Sequence, residues 1–167
     1  MYASAIESGV RSSVDYNEQL LYIYGSDSLQ DIGDMSNLYW REFKINGKAS
    51  KLTRLKLGHD ALDKNNKKWF NKALNQPSFK ASSSETGLPL LKEMNLCNIT
   101  INAGSSEPTL DLTSCEKLEN FRATGSNLTS ISFADGVSLN TLYLPSTITS
   151  LKLSEANLLT KLIKTYV

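Results

Sequence analysis

Cysteine and histidine are almost missing from this chain. Two cysteines, Cys97 and Cys115, among 167 residues cannot staple a fold of this size. They form no C-x-x-C pair and have no neighbouring histidine, so the sequence patterns of zinc and thiol-redox sites are lacking. The one histidine, His59, has no nucleophile or metal ligand at useful spacing, and is expected as an exposed polar residue in a turn. No metal and no cofactor is expected. Long apolar runs are lacking too. The longest, Leu20 to Tyr24, has five residues, whereas a membrane-spanning helix needs about 20. Charge of one sign is not in excess: 18 Lys plus Arg stand against 17 Asp plus Glu, for a net +1, which leaves no global footprint for nucleic acid. The opening Met1-Tyr2-Ala3-Ser4-Ala5-Ile6-Glu7 has neither a basic start nor an apolar core, so no signal peptide is visible.

Leucine is what the chain has in quantity. There are 25, of which 16 fall from Leu88 onward. With 40% hydrophobic and 8% aromatic residues, the composition argues against disorder. Charge is segregated. Residues 1–40 carry six acidic residues and one basic, and residues 41–80 carry eleven basic and three acidic. The chain therefore divides into a lead-in over 1–24, an irregular middle over 25–87 and a regular array over 88–167.

That array repeats. An apolar-x-x-apolar-x-apolar frame occurs at Leu91-Lys-Glu-Met94-Asn-Leu96, Leu118-Glu-Asn-Phe121-Arg-Ala123 and Leu128-Thr-Ser-Ile131-Ser-Phe133. It returns at Leu139-Asn-Thr-Leu142-Tyr-Leu144, Ile148-Thr-Ser-Leu151-Lys-Leu153 and, more weakly, from Leu159. From Leu118 the frames start 10, 11, 9 and 11 residues apart, so alternate frames are 21, 20 and 20 apart. In apolar-x-apolar, the flanking side chains share one face of a strand and the middle one takes the other. So short a strand buries its apolar face only against the next winding of the chain. Between frames, Gly125-Ser126, Asp135-Gly136 and Pro145-Ser146 provide turns and leave no room for a full helix. The expected fold is a β-rich α/β solenoid, with short strands stacked in parallel and few or short helices. An earlier frame, Leu52-Thr-Arg-Leu55-Lys-Leu57, is separated from Leu91 by 33 residues. Within that gap Trp69, Phe70, Ala73 and Leu74 have helical spacing, which predicts a short helix over 63–75.

These frames, with Leu110-Asp-Leu112-Thr-Ser-Cys115 followed by Leu118, resemble the leucine-rich repeat, and more narrowly its two-strand form of about 21 residues from Bacteroidales and their phages. The resemblance implies an inward Cys or Asn three residues after the last strand leucine that bonds turn backbone. That position here reads Cys115, Ser126, Gly136, Thr147 and Ala156. A wider likeness covers Tyr22-Ile-Tyr-Gly25-Ser-Asp27, Asp31-Ile-Gly-Asp34, Leu52-Thr-Arg-Leu55-Lys-Leu57-Gly58 and Leu142-Tyr-Leu144-Pro145. It is similar to segments of the very long virion-associated proteins of gut tailed phages. It implies an excised piece of a larger virion protein, made in the bacterial cytoplasm and found in the virion. Its partners would be other domains or copies of that protein, or a host surface protein or glycan.

Binding residues are sought on the strand faces. Stacking alternate frames sets Glu119, Asn120 and Arg122 beside Asn140, Thr141 and Tyr143, a mixture of charge and aromatic side chains suited to recognition. The opposite face sets Thr129, Ser130 and Ser132 beside Thr149, Ser150 and Lys152, a flat structural surface. Asp27, Asp31 and Asp34 lack the alternate spacing of a calcium loop and are expected on a helical face or at a cap. Asn98-Ile-Thr100 and Asn127-Leu-Thr129 match the glycosylation sequon, a match without content where no secretion signal accompanies it. The basic residues of 41–80, lying among Trp40, Phe43, Trp69 and Phe70, suggest nucleic-acid contact. The aromatics stand as apolar pairs flanking the charges, and the whole chain is near neutral. The favoured expectation is therefore that the aromatics are core and the Lys and Arg face solvent or neutralise the acidic segment before them, with nucleic-acid contact through 41–80 the weaker alternative. No acid–base pair, nucleophile–base pair or phosphate loop is present. A non-enzymatic structural or binding module of a phage virion protein is expected, with a bacterial surface adhesion module as the alternative.

Overall fold

Each apolar frame contributes a short strand containing its second apolar residue, and the frames at Leu139 and Leu159 begin at the end of a further two-residue strand. The computed structural model of the chain describes residues 28–36, 49–59 and 88–153 in full, and the backbone of 11–15, 20–24, 42–46, 72–75, 158–159 and 162–164. In chain order the first strands are β1 (Arg11–Asp15), β2 (Leu20–Tyr24), β3 (Asp31–Asp34), β4 (Glu42–Asn46), β5 (Arg54–Lys56), β6 (Lys72–Asn75), β7 (Glu93–Asn95) and β8 (Ile99–Asn102). There follow β9 (Thr109–Leu112), β10 (Asn120–Arg122), β11 (Ser130–Phe133), β12 (Ser138–Leu139), β13 (Thr141–Leu144), β14 (Ser150–Lys152), β15 (Leu158–Leu159) and β16 (Leu162–Lys164).

Parallel pairing dominates. One sheet has six strands in the order β3, β5, β7, β10, β13, β16, every neighbour parallel. A second has β9, β11 and β14, also parallel. From β9 to β11 and on to β13 and β14 the chain alternates between these two sheets. Two smaller parallel pairs are β6 with β8 and β12 with β15. Among the described residues the exception to parallel pairing lies near the N-terminus, where β1 runs antiparallel to β2 while β4 runs parallel to it.

Register follows the hydrophobic pattern, because a slip of one residue would turn every side chain to the wrong face. Phe121 on β10 stands opposite Met94 on β7 and Leu142 on β13, and Met94 stands opposite Leu55 on β5. All four are 0% exposed. The second sheet sends Leu110, Leu112, Ile131 and Phe133 into the same core. Phe121 and Phe133 meet there edge to face, with centroids 5.5 Å apart and planes at 84°. Backbone bonds extend the ladders beyond the strands: Glu119 N donates to Lys92 O at 2.9 Å, and Asn140 N to Glu119 O at 2.7 Å. Partners in these ladders lie 21 residues apart for Thr141 and Asn120 and for Thr129 and Pro108, and 20 for Thr149 and Thr129.

Two expectations about helices are corrected. Lys72–Asn75, at the end of the helix expected over 63–75, is strand β6. Its backbone pairs with Ile99–Asn102 in register, so hydrogen-bonding groups that a helix would use internally are committed to a neighbour. The remainder of that segment lies outside the described residues. Asp31 and Asp34 sit on neither a helical face nor a helix cap but on β3. Among the described residues there is no helix.

Candidate binding face

The outer face of the six-stranded sheet carries the side chains that flank each buried middle residue. Phe121 is buried, so Asn120 and Arg122 point the other way; Leu142 does the same for Thr141 and Tyr143. The register places Asn120 opposite Thr141 and Arg122 opposite Tyr143. Strand spacing of about 4.8 Å brings each pair into contact. Thr141 Oγ1 donates to Asn120 Oδ1 at 2.7 Å, and the Arg122 guanidinium carbon lies 4.8 Å from the Tyr143 ring centroid. Glu119 and Asn140 are joined through the backbone just before these strands. All six residues expected on this face therefore adjoin one another.

The same face extends beyond those six residues. In register with Asn120 stands Glu93, and in register with Glu93 stands Arg54, then Asp31. Arg54 pairs with Asp31 at 2.6 Å, Lys56 with Asp34 at 2.7 Å, and Lys92 with Glu119 at 3.2 Å. Four carboxylates (Asp31, Asp34, Glu93, Glu119) stand on this face against four cations (Arg54, Lys56, Lys92, Arg122). Among the described residues its charge sums to zero. Arg54 and Lys56 belong to the basic segment, and here they neutralise acidic residues from the segment before. Partial burial by itself would raise the Asp34 carboxyl. Hydrogen bonds from Lys56 and from Ser36, whose backbone N lies 2.9 Å from Asp34 Oδ1, outweigh it and hold that carboxyl at about 2. Glu93 and Lys92 were legible in principle, since each occupies in the Leu91 frame the place that Asn120 and Glu119 occupy in the Leu118 frame.

The opposite sheet has the composition expected of it. Ser130 pairs with Ser150 and Ser132 with Lys152, and Thr129 O accepts a bond from Thr149 N. Along the turns the inward ladder differs from the expected positions. Cys115 is fully buried, and burial pushes its thiol up to about 12. Thr147 Oγ1 donates to Leu128 O at 2.6 Å, but Ser126 Oγ is buried without a partner. The bonding falls to Asn127 instead: its Oδ1 accepts from Ile101 N at 2.7 Å and its Nδ2 donates to Ile101 O at 3.0 Å. Asn98, at φ 57, donates through Nδ2 to His59 O at 2.7 Å. Both sequon asparagines thus have their side-chain amides engaged by backbone. His59 is half-buried rather than exposed, and its backbone N–H donates to Cys97 O at 3.1 Å. Cys97 is buried, and neither cysteine is in a disulfide. Asp27 and most of the basic segment lie outside the described residues.

No family model, curated protein or solved structure matches the chain.

Proposed function

We propose that the chain is a leucine-rich-repeat solenoid acting as a non-enzymatic structural or protein-binding module of a larger phage virion-associated protein. The observation that supports the repeat reading is the alternation of short parallel strands between two sheets from β9 to β14, with hydrogen-bonded neighbours 20 or 21 residues apart; the virion role rests on the likeness of the sequence segments given above. Each winding shares its core with the next, which is how a repeat array gains stability. Three carboxylates of the outer face are committed to ion pairs, and the Cys115 thiol is buried and held neutral. Such groups suit a surface that presents and spaces better than one that transfers protons or attacks.

The experiment is to read the open reading frame on both sides of this segment and to search purified phage particles for its peptides by mass spectrometry. A long continuous frame and peptides at a fixed ratio to other virion proteins are expected. Peptides confined to the host cell fraction, with a signal peptide and wall anchor in the frame, would replace this reading by that of a bacterial surface adhesion module.

A further inference from the structure

We propose that the row Glu93, Asn120 and Thr141, flanked by Tyr143, is a binding site for neutral carbohydrate, held through two adjacent sugar hydroxyls. This rests on the reading of the outer face as a recognition surface and adds the class of ligand. The three side chains sit directly opposite one another on β7, β10 and β13. Strand spacing therefore fixes them about 4.8 Å apart in a straight row. All three are half-buried, so part of their hydration is already gone before a ligand arrives.

The hydrogen-bonding capacity left in the row is specific. Thr141 Oγ1 donates to Asn120 Oδ1 at 2.7 Å, which orients the amide and leaves its Nδ2 as a pure donor. Among the described residues, neither Asn120 Nδ2 nor the Glu93 carboxylate has a hydrogen-bond or ion-pair partner. An ionised carboxylate only accepts and an amide nitrogen only donates. A ligand bridging the two must donate at one point and accept at another a short distance away. Neighbouring hydroxyls on a sugar ring do both, since each is donor and acceptor at once. The Tyr143 ring, held beside the row by the Arg122 guanidinium at 4.8 Å, adds carbon surface and a phenol to the rim.

Charge argues for a neutral occupant. The ion pairs of this face cancel, and the one carboxylate in the row would repel phosphate, sulfate or an acidic peptide. A cationic peptide would be drawn to Glu93 but would meet the Asn120 donors and the Arg122 charge beside it.

The test uses the 167-residue chain on an array of neutral, sialylated and sulfated oligosaccharides, followed by calorimetry with the best neutral binder at low and high salt. Asn120→Ala and Glu93→Gln are the informative variants. Ser130→Ala on the other sheet is the control, and thermal melts establish that each is folded. Binding of a neutral oligosaccharide that weakens about tenfold or more in both variants, and ignores salt and the control change, is the expected result. A blank array, a preference for sulfated ligands that fades with salt, or an affinity unchanged in Asn120→Ala overturns the proposal. A blank array together with peptides recovered from phage particles would remove the carbohydrate site and leave the structural reading standing.

Discussion

The contact between Phe121 and Phe133 decides whether the two sheets share one core. The rings belong to different sheets, β10 and β11, and meet edge to face at 5.5 Å and 84°. Their residues are 0% and 2% exposed. Phe121→Leu and Phe133→Leu retain an apolar side chain at each site while removing the ring, so each should cost about 1–2 kcal/mol and leave the chain folded. Beyond area, an edge-to-face pair contributes about 0.5–1.5 kcal/mol, and that term is lost once, whichever ring is removed first. The double variant should therefore be less destabilised than the sum of the singles by that amount. Urea unfolding of the four proteins, fitted with a common m value, measures it. Single costs that add to within about 0.3 kcal/mol would show that the rings do not touch, and the shared core would go with them.

Three further outcomes follow from particular groups. Asp34 is held at about 2 against an ordinary 3.8, so its contribution is complete above the unfolded value and fades as pH falls through the folded one. Solvent reaches 43% of that side chain, which limits the effect to about 1 kcal/mol. Melting temperatures of Asp34→Asn should vary less between about pH 4 and 2 than those of the parent, and parallel curves would refute the ion-pair argument. A Cβ on Gly58 would lie 2.6 Å from the Leu96 carbonyl carbon and closer still to Cys97 backbone, whereas Gly136, at φ 73, has open space around it. Gly136→Ala should cost about 1 kcal/mol from backbone strain, and Gly58→Ala about 3 kcal/mol or more because backbone must move; equal unfolding midpoints would contradict this. Burial should keep Cys97 and Cys115 from reacting with a thiol reagent at about pH 8 until denaturant is added, and labelling of the folded protein would place them elsewhere.

Hydrophobic spacing made the faces legible and left the turns obscure. From Leu118-Glu-Asn-Phe121-Arg-Ala123 it follows that Phe121 and Ala123 are buried while Asn120 and Arg122 are not, and the structure agrees. The repeat interval then pairs Asn120 with Thr141, as observed. Which polar residue bonds the turn backbone is a different question, since shifting it by one position leaves the apolar pattern intact. The resemblance pointed to Ser126, whose short hydroxyl is buried without a partner. The next residue, Asn127, has an amide that meets both the N–H and the C=O of Ile101. Strand β6 is hidden in the sequence for a related reason. Lys72-Ala-Leu-Asn75 is too short for its period to be distinctive, and its pairing with Ile99–Asn102 is not written in its own residues.

The long interval between the frames at Leu52 and Leu91 shows what sets the register. It adds 33 residues between Leu57 and Leu91, yet Leu55 still stands opposite Met94 and Lys56 opposite Asn95. Closing a longer loop adds little, about 0.6 kcal/mol for each doubling of its length, while a one-residue slip would expose Leu55 and Met94 together. Side-chain burial, and not chain length, therefore fixes the order of neighbours. The same holds for the outer face. Asp31 meets Arg54, and Glu93 stands opposite Asn120, because the middle residues Ile32, Leu55, Met94 and Phe121 have nowhere else to go. A recognition row assembled this way can vary in its polar residues without disturbing the core beneath it, and this separates what the face binds from what keeps it folded.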